Sequence, residues 1–137
     1  MIKKKRIQVL IVDDHTIVWA GLRSMLKEHS DIHIVGESHN GIEAIFFVEH
    51  FRPSVVLMNI NVPTRNDIEV TAQITKEYPD TRVIGLSENA TMESEEAIKR
   101  AGAVQLLSKE ATVEELYKAI CKAVTKPKPA KRPKRAR

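Results

Sequence analysis

Short runs of apolar, often β-branched residues alternate with stretches of helical periodicity from residue 7 to residue 124. Ile7, Gln8, Val9, Leu10, Ile11 and Val12 read as a buried strand, stopped by the acidic pair Asp13-Asp14. Ile17, Gly21, Leu22, Met25 and Leu26 then recur three and four residues apart, the spacing of one helix face. Ile32, His33, Ile34, Val35 and Gly36 alternate as a strand does. Ile42, Ile45, Phe46 and Val48 predict a second helix, ended at Arg52-Pro53 because proline disfavours helical backbone in the residue before it. Val55, Val56, Leu57 and Met58 form a short apolar run between turn signals, as expected of a strand covered on both faces. Asn61-Val62-Pro63-Thr64-Arg65-Asn66 reads as a loop, and Ile68, Thr71, Ile74 and Thr75 as a third helix. Val83-Ile84-Gly85-Leu86 predicts a fourth strand, and Met92 to Ala101 a fourth helix closed by Gly102. Val104-Gln105-Leu106-Leu107 predicts a fifth strand. Val113, Leu116, Tyr117, Ile120 and Val124 supply the inner stripe of a last helix.

Five strands alternating with five helices imply a mostly parallel sheet with helices on both faces and right-handed crossovers. In such sheets ligands bind beyond the carboxyl ends of the strands, where the strand order reverses. The positions just after Val12, Met58, Leu86 and Leu107 are therefore the ones to inspect, and they hold Asp13-Asp14, Asn59, Ser87 and Lys109. Each has an ordinary structural explanation. Asp14 suits a helix N-cap, Ser87 and Asn59 suit turns, and Lys109 suits a solvated surface. Together they form a phosphoryl-transfer set: carboxylates for Mg²⁺, with a hydroxyl and an ammonium for phosphoryl oxygens.

These residues also carry a resemblance. Val12-Asp13-Asp14-His15, Val56-Leu57-Met58-Asn59-Ile60-Asn61-Val62-Pro63, Ile84-Gly85-Leu86-Ser87 and Ala101-Gly102-Ala103…Leu107-Ser108-Lys109-Glu110 resemble the receiver domains of two-component response regulators, in order and at the family's spacing over residues 6–125. Asp13-Asp14-His15…Gly21-Leu22…Leu26…Asp31-Ile32…Val35-Gly36-Glu37…Gly41…Ala44 is similar to the subfamily that usually precedes a LuxR-type helix-turn-helix domain. The resemblance implies a flavodoxin-like (βα)5 three-layer sandwich with strand order 2-1-3-4-5. It implies Asp13 and Asp14 as the acidic pair around Mg²⁺, and Asn61 as the position whose backbone carbonyl ligates the metal. It makes Ser87 the switch hydroxyl and Lys109 the lysine that pairs with the phosphoryl group. The phosphoacceptor position is Asn59.

That is the departure with consequences. A carboxamide lacks the carboxylate nucleophile, so it cannot attack a phosphohistidine or hold an acyl phosphate. It also removes one negative charge from the metal site, so Mg²⁺ is expected to bind weakly or not at all. Lys109 would then serve as counter-ion to Asp13 and Asp14. Two further departures stand beside it. Asn66-Asp67 replaces the usual Asp-Gly, and Gln105-Leu106 replaces the glycine and aromatic of the fifth strand, so Leu106 occupies the position whose rotamer reports the switch. One explanation of Asn59 is an engineered, non-phosphorylatable form of a working transcriptional regulator's receiver. The other is a natural pseudo-receiver, and it is favoured because an engineer changes one position whereas relaxed selection loosens several.

Composition and charge refine the picture at the C-terminus. The chain is 42% apolar and 29% charged, a globular composition, and no apolar run approaches the ~18 residues that span a bilayer. With no signal-peptide pattern, a cytoplasmic location is expected. Cys121 is the only cysteine, so no internal disulfide can form. The net charge of +4 comes from residues 126–137, which hold seven Lys/Arg and no acid, while the first 125 residues carry 15 basic and 18 acidic side chains. The chain thus divides into a receiver over 1–125 and a basic, proline-punctuated tail over 126–137 that cannot bury a core. The expected partners are proteins: a histidine kinase, an output-domain protein or a second copy. The tail offers sequence-independent nucleic-acid contact as a lesser alternative. An enzymatic reading, Asp13 as nucleophile of a small phosphotransferase, lacks a second acid/base and any substrate-covering insertion.

Overall fold

The computed structural model describes residues 6–13, 23–24, 26–60, 65–87, 90–108 and 111–125. Five strands, β1 (Ile7–Val12), β2 (Ile32–Ser38), β3 (Val55–Asn59), β4 (Arg82–Ser87) and β5 (Gln105–Ser108), form one sheet. All pairings are parallel and the order is β2-β1-β3-β4-β5, as the resemblance implies. Four helices are described along their length: α1 (Gly41–Phe51), α2 (Arg65–Glu77), α3 (Met92–Arg100) and α4 (Val113–Thr125). The helix expected between β1 and β2 falls mostly outside the described residues. Arg23, Ser24 and Leu26 at its end are helical, and Leu26 is fully buried.

Alternation along the strands divides the core in two. Val9, Ile11, Leu57, Ile84 and Leu86 point to the face covered by α4 through Leu116, Ala119, Ile120 and Ala123. Leu10, Val12, Val56, Met58 and Val83 point to the opposite face, covered by Ala44 and Val48 of α1, Val70 and Ile74 of α2 and Ile98 of α3. β3 is buried on both sides, which is why its sequence is a continuous apolar run rather than an alternating one.

Helix ends follow local chemistry. Asn40 caps α1, accepting the Glu43 N–H on its side chain at 2.9 Å, while the Glu43 carboxylate accepts the His39 N–H at 3.0 Å. Thr112 and Glu115 form the reciprocal pair that starts α4, at 2.7 and 3.0 Å. α3 stops at Arg100, and Gly102 follows with φ of 120°, a backbone that glycine adopts without strain. The expected strand boundaries hold to within a residue or two. β2 runs on to Ser38 rather than ending at Gly36, and β5 begins at Gln105 rather than Val104. No helix among the described residues is long and apolar enough to cross a membrane.

Candidate functional site

The strand order reverses between β1 and β3, and the site residues gather there. Val12 pairs with Met58 and Asn59 with Leu86, so Asp13, Asn59 and Ser87 emerge from three neighbouring strands at one edge of the sheet. Parallel register alone produces this: each polar residue is the first to follow, or the last to end, an apolar run of matched length.

Asp13 is 5% exposed. Its backbone N–H donates to the Ser38 carbonyl at 2.9 Å, extending the β1–β2 ladder by one step. One oxygen of its carboxylate, Oδ1, accepts the Asn59 Nδ2 amide at 2.9 Å. The opposite amide orientation would set two oxygens against each other at that distance, so the NH₂ group must face Asp13. Asn59 Oδ1 is buried, and no group among the described residues donates to it. The substitution at position 59 therefore acts twice: it removes a negative charge, and it supplies a donor that satisfies part of Asp13 from within the chain.

Ser87 ends β4 and is fully buried. It stands beside Ser108 in the β4–β5 register, and Lys109 follows Ser108 in sequence. Asp14, Asn61 and Lys109 lie outside the described residues, so the metal and phosphoryl roles expected of them carry no geometry here. Leu106, at the switch-aromatic position, is buried and packed flat on β4. A Cβ added to Gly85 would come within 2.8 Å of Leu106 Cδ1 and 3.1 Å of Ile60 Cδ1.

Beside Asp13 and Asn59 opens a cavity of about 240 Å³ that runs between the strand ends and the starts of α1 and α2. Its walls add His39, Asn40, Asn66 and Asp67 to the expected set. His39 Nδ1 also lies 3.3 Å from the Asp13 carbonyl. In the sequence the apolar alternation ends at Gly36, which hides His39. The strand runs two residues further, and the residue just beyond a strand end is then His39, the position the strand-end rule would have selected. Asn66 and Asp67 depart from the family pattern, and nothing in the sequence marks them as part of the cavity wall.

The buried Asn59 Oδ1 is a neutral oxygen of the kind Mg²⁺ accepts, and Asp13 provides a carboxylate next to it. One charged and one neutral oxygen are all that these two residues bring to a divalent cation, and no cluster of three His, Cys, Asp or Glu side chains stands among the described residues; a cation held there would offset the charge of Asp13.

A family model described as "Response regulator receiver domain" matches residues 9–121. The chain belongs to that family, the receiver modules of two-component signalling. It is 30% identical over 119 residues to the transcriptional regulatory protein DegU of Brevibacillus brevis, covering 87% of this chain and 50% of DegU. It is 32% identical over 123 residues to the transcriptional regulatory protein LiaR of Bacillus subtilis, covering 90% of this chain and 58% of LiaR. The chain thus spans about half the length of the curated relatives it matches. Among solved structures, the signal receiver domain of the response regulator NarL from Mycobacterium tuberculosis superposes with a TM-score of 0.81 at 25% identity, covering 90% of this chain and 100% of that one. Receivers of this family are in general signalling modules rather than enzymes, and generally bind Mg²⁺ in the acidic pocket.

Proposed function

We propose that this receiver takes no phosphoryl group at position 59 and signals through protein contacts set by its resting conformation. The observation that carries the reading is the 2.9 Å hydrogen bond from the Asn59 amide to Asp13. A carboxylate at position 59 would face the Asp13 carboxylate across that gap, and a cation would be needed to hold the two together. The amide makes the contact stable without one. Mg²⁺ then competes with an internal hydrogen bond for Asp13 and meets one negative charge fewer, so its affinity falls. Leu106 supports the same view from the other half of the site. It is short, already buried against Gly85 and has no ring to move between buried and exposed positions.

The partners on this reading are a histidine kinase or an output-domain protein, since the relatives are transcriptional regulators about twice the length of this chain. The departures at 66–67 and 105–106 favour a natural pseudo-receiver over an engineered form.

The test is incubation with radiolabelled acetyl phosphate and Mg²⁺, followed by hydroxylamine treatment. The chain as it stands should show no hydroxylamine-sensitive label, and Asn59→Asp should gain it, because Asp13, Asp14, Ser87 and Lys109 are all present in the sequence. Stoichiometric labelling of the unaltered chain would overturn the proposal, and an adduct mapped to Asp13 would revive an enzymatic role.

A further inference from the structure

The last turns of the helices meet at the amino ends of the strands, because each helix of a parallel sheet runs back against its strands. Lys76 stands in the last turn of α2, Lys99 and Arg100 in that of α3 and Lys122 in that of α4, while Arg52 caps α1. Thr75 Oγ1 lies 3.1 Å from the Ala101 carbonyl oxygen, which sets the last turn of α2 beside the end of α3. The Arg52 guanidinium lies 4.9 Å from the centroid of the Tyr78 ring, which joins the end of α1 to that of α2. Arg52, Lys76 and Arg100 are all exposed, so they line one arc across this end of the molecule.

Basic last turns are ordinary compensation of helix dipoles, and acids are present too. Glu28, Asp31, Glu49, Glu77 and Asp80 share this end with eight Lys/Arg among the described residues, Arg6, Lys27 and Arg82 included. The chain ends tip the balance. β1 starts here and α4 finishes here. Lys3, Lys4 and Lys5 directly precede Arg6, and residues 126–137, with seven Lys/Arg and no acid, directly follow Thr125. The opposite end is acidic, through Glu43, Asp67, Glu93, Glu95, Glu114 and Glu115 in the first turns of the helices.

We propose that the amino end of the sheet and both chain ends form one cationic face that binds duplex nucleic acid through its phosphates, without regard to sequence. Such a polymer presents a negative charge about every 1.7 Å, so scattered cations meet it without a shaped pocket. An acidic peptide would need a groove with fixed partners, and the cavity lies at the other end, beside Asp13 and Asp67. An anionic bilayer would need apolar side chains at the basic face to hold it. Residues 126–137 have none larger than alanine or proline. Ile42 and Phe46, on the outer stripe of α1, and Met92 at the start of α3 are exposed away from this end, which leaves Phe51. Its ring stacks on Phe47, with centroids 5.3 Å apart. Bound in this way, the polymer covers the basic end and leaves the acidic end, with its cavity, open to protein partners.

Fluorescence anisotropy of a labelled DNA duplex of about 20 base pairs, titrated with the full chain at about 0.05, 0.1 and 0.2 M salt, tests this. Affinity should fall at least about thirtyfold across that range, as expected when about three or more phosphates are neutralised. Lys76→Gln with Arg100→Gln should weaken binding about tenfold or more at 0.1 M salt and lower the salt slope by about 2. Both side chains are exposed, so circular dichroism should stay unchanged. Ile42→Glu with Met92→Glu changes the net charge equally at the acidic end, roughly 15 Å away along the helices. That exceeds the Debye length of about 10 Å, so affinity should stay within about twofold. Equal losses from the two pairs would reveal a net-charge effect and overturn the assignment to this end. Binding indifferent to Lys76 and Arg100 would confine the contact to the chain ends and refute the joint face, as would no binding at 0.05 M salt. Capture by phosphatidylserine vesicles in preference to the duplex would put a lipid surface in place of nucleic acid, and would overturn it too.

Discussion

The two ends of the sheet treat their polar groups in opposite ways. At the amino ends of the strands, polar groups are matched inside the chain. The Thr81 hydroxyl, on a residue 3% exposed, donates to the Pro53 carbonyl at 2.7 Å. The Ser54 N–H donates to Gln8 and the Arg82 N–H to Ser54, at 2.8 and 2.9 Å. The Tyr117 hydroxyl donates to the Asp31 carboxylate at 2.6 Å, tying α4 to the start of β2. At the carboxyl ends, no group among the described residues donates to the buried Asn59 Oδ1, which lies next to a carboxylate and at the rim of a cavity. The amino end closes the fold, while the carboxyl end places Asp13 and Asn59 at the wall of a cavity.

The largest expected effect comes from making the carboxyl end more like that of an active receiver. Asn59→Asp exchanges a donor for a second carboxylate at 2.9 Å from Asp13. Without metal, the loss of a hydrogen bond to a charged group and the new repulsion should lower stability by about 1–3 kcal/mol. Millimolar Mg²⁺ should recover that loss through binding to the folded state. The unaltered chain should melt at nearly the same temperature with and without Mg²⁺. Thermal denaturation of both proteins in EDTA and in Mg²⁺ decides the matter. A strong Mg²⁺ response in the unaltered chain would mean that the amide does not relieve the site.

Much of this contrast was legible in the sequence. Strands buried on both faces announce themselves as apolar runs, so the first polar residues after Val12 and Met58 could be read directly as Asp13 and Asn59. Parallel order then brings them together, since register follows from runs of similar length. His39 is hidden because Ile32 to Gly36 looks like a complete strand, whereas Glu37 and Ser38 continue the ladder through backbone pairing with β1 that their polar side chains conceal. The amide–carboxylate contact was also out of reach. Sequence shows that position 59 lost a charge, but the orientation of the amide depends on a three-dimensional neighbour 46 residues away. The outer stripe of α1 was absorbed into a helix prediction, because periodicity marks Ile42 and Phe46 as apolar without showing which face they occupy.

A smaller effect is expected at the amino end, and only in alkali. The hydrogen bond to Asp31, then one to Cys121, then burial hold the Tyr117 hydroxyl's pKa well above its ordinary value of 10.0. Below pH 10 the folded and unfolded chains both keep the proton and the contact contributes in full. Above it the unfolded chain releases the proton while the folded chain holds it, so stability falls as pH rises. Tyr117→Phe should therefore be less stable than the parent at pH 8, with the gap narrowing between about pH 10 and 11.5. Urea unfolding at several pH values measures it. A gap that stays constant through that range would show that Asp31 does not favour the protonated hydroxyl in the folded chain.

The smallest effect should come from the tail. Residues 126–137 follow α4, carry seven positive charges and offer the core nothing to bury. Removing them should leave the melting temperature nearly unchanged and both ends of the sheet as they were. What the tail can do is neutralise phosphates. If the full chain binds duplex DNA, log K should fall with log[salt] by up to about 0.9 per phosphate contacted. Unrelated duplexes should compete equally, because reading a base edge requires side chains fixed against it. A filter-binding titration at two salt concentrations, on the full and truncated chains, separates the cases. Binding that survives truncation, ignores salt or prefers one sequence would assign DNA contact to the folded body. No binding at low salt would leave the tail as a solvated connector.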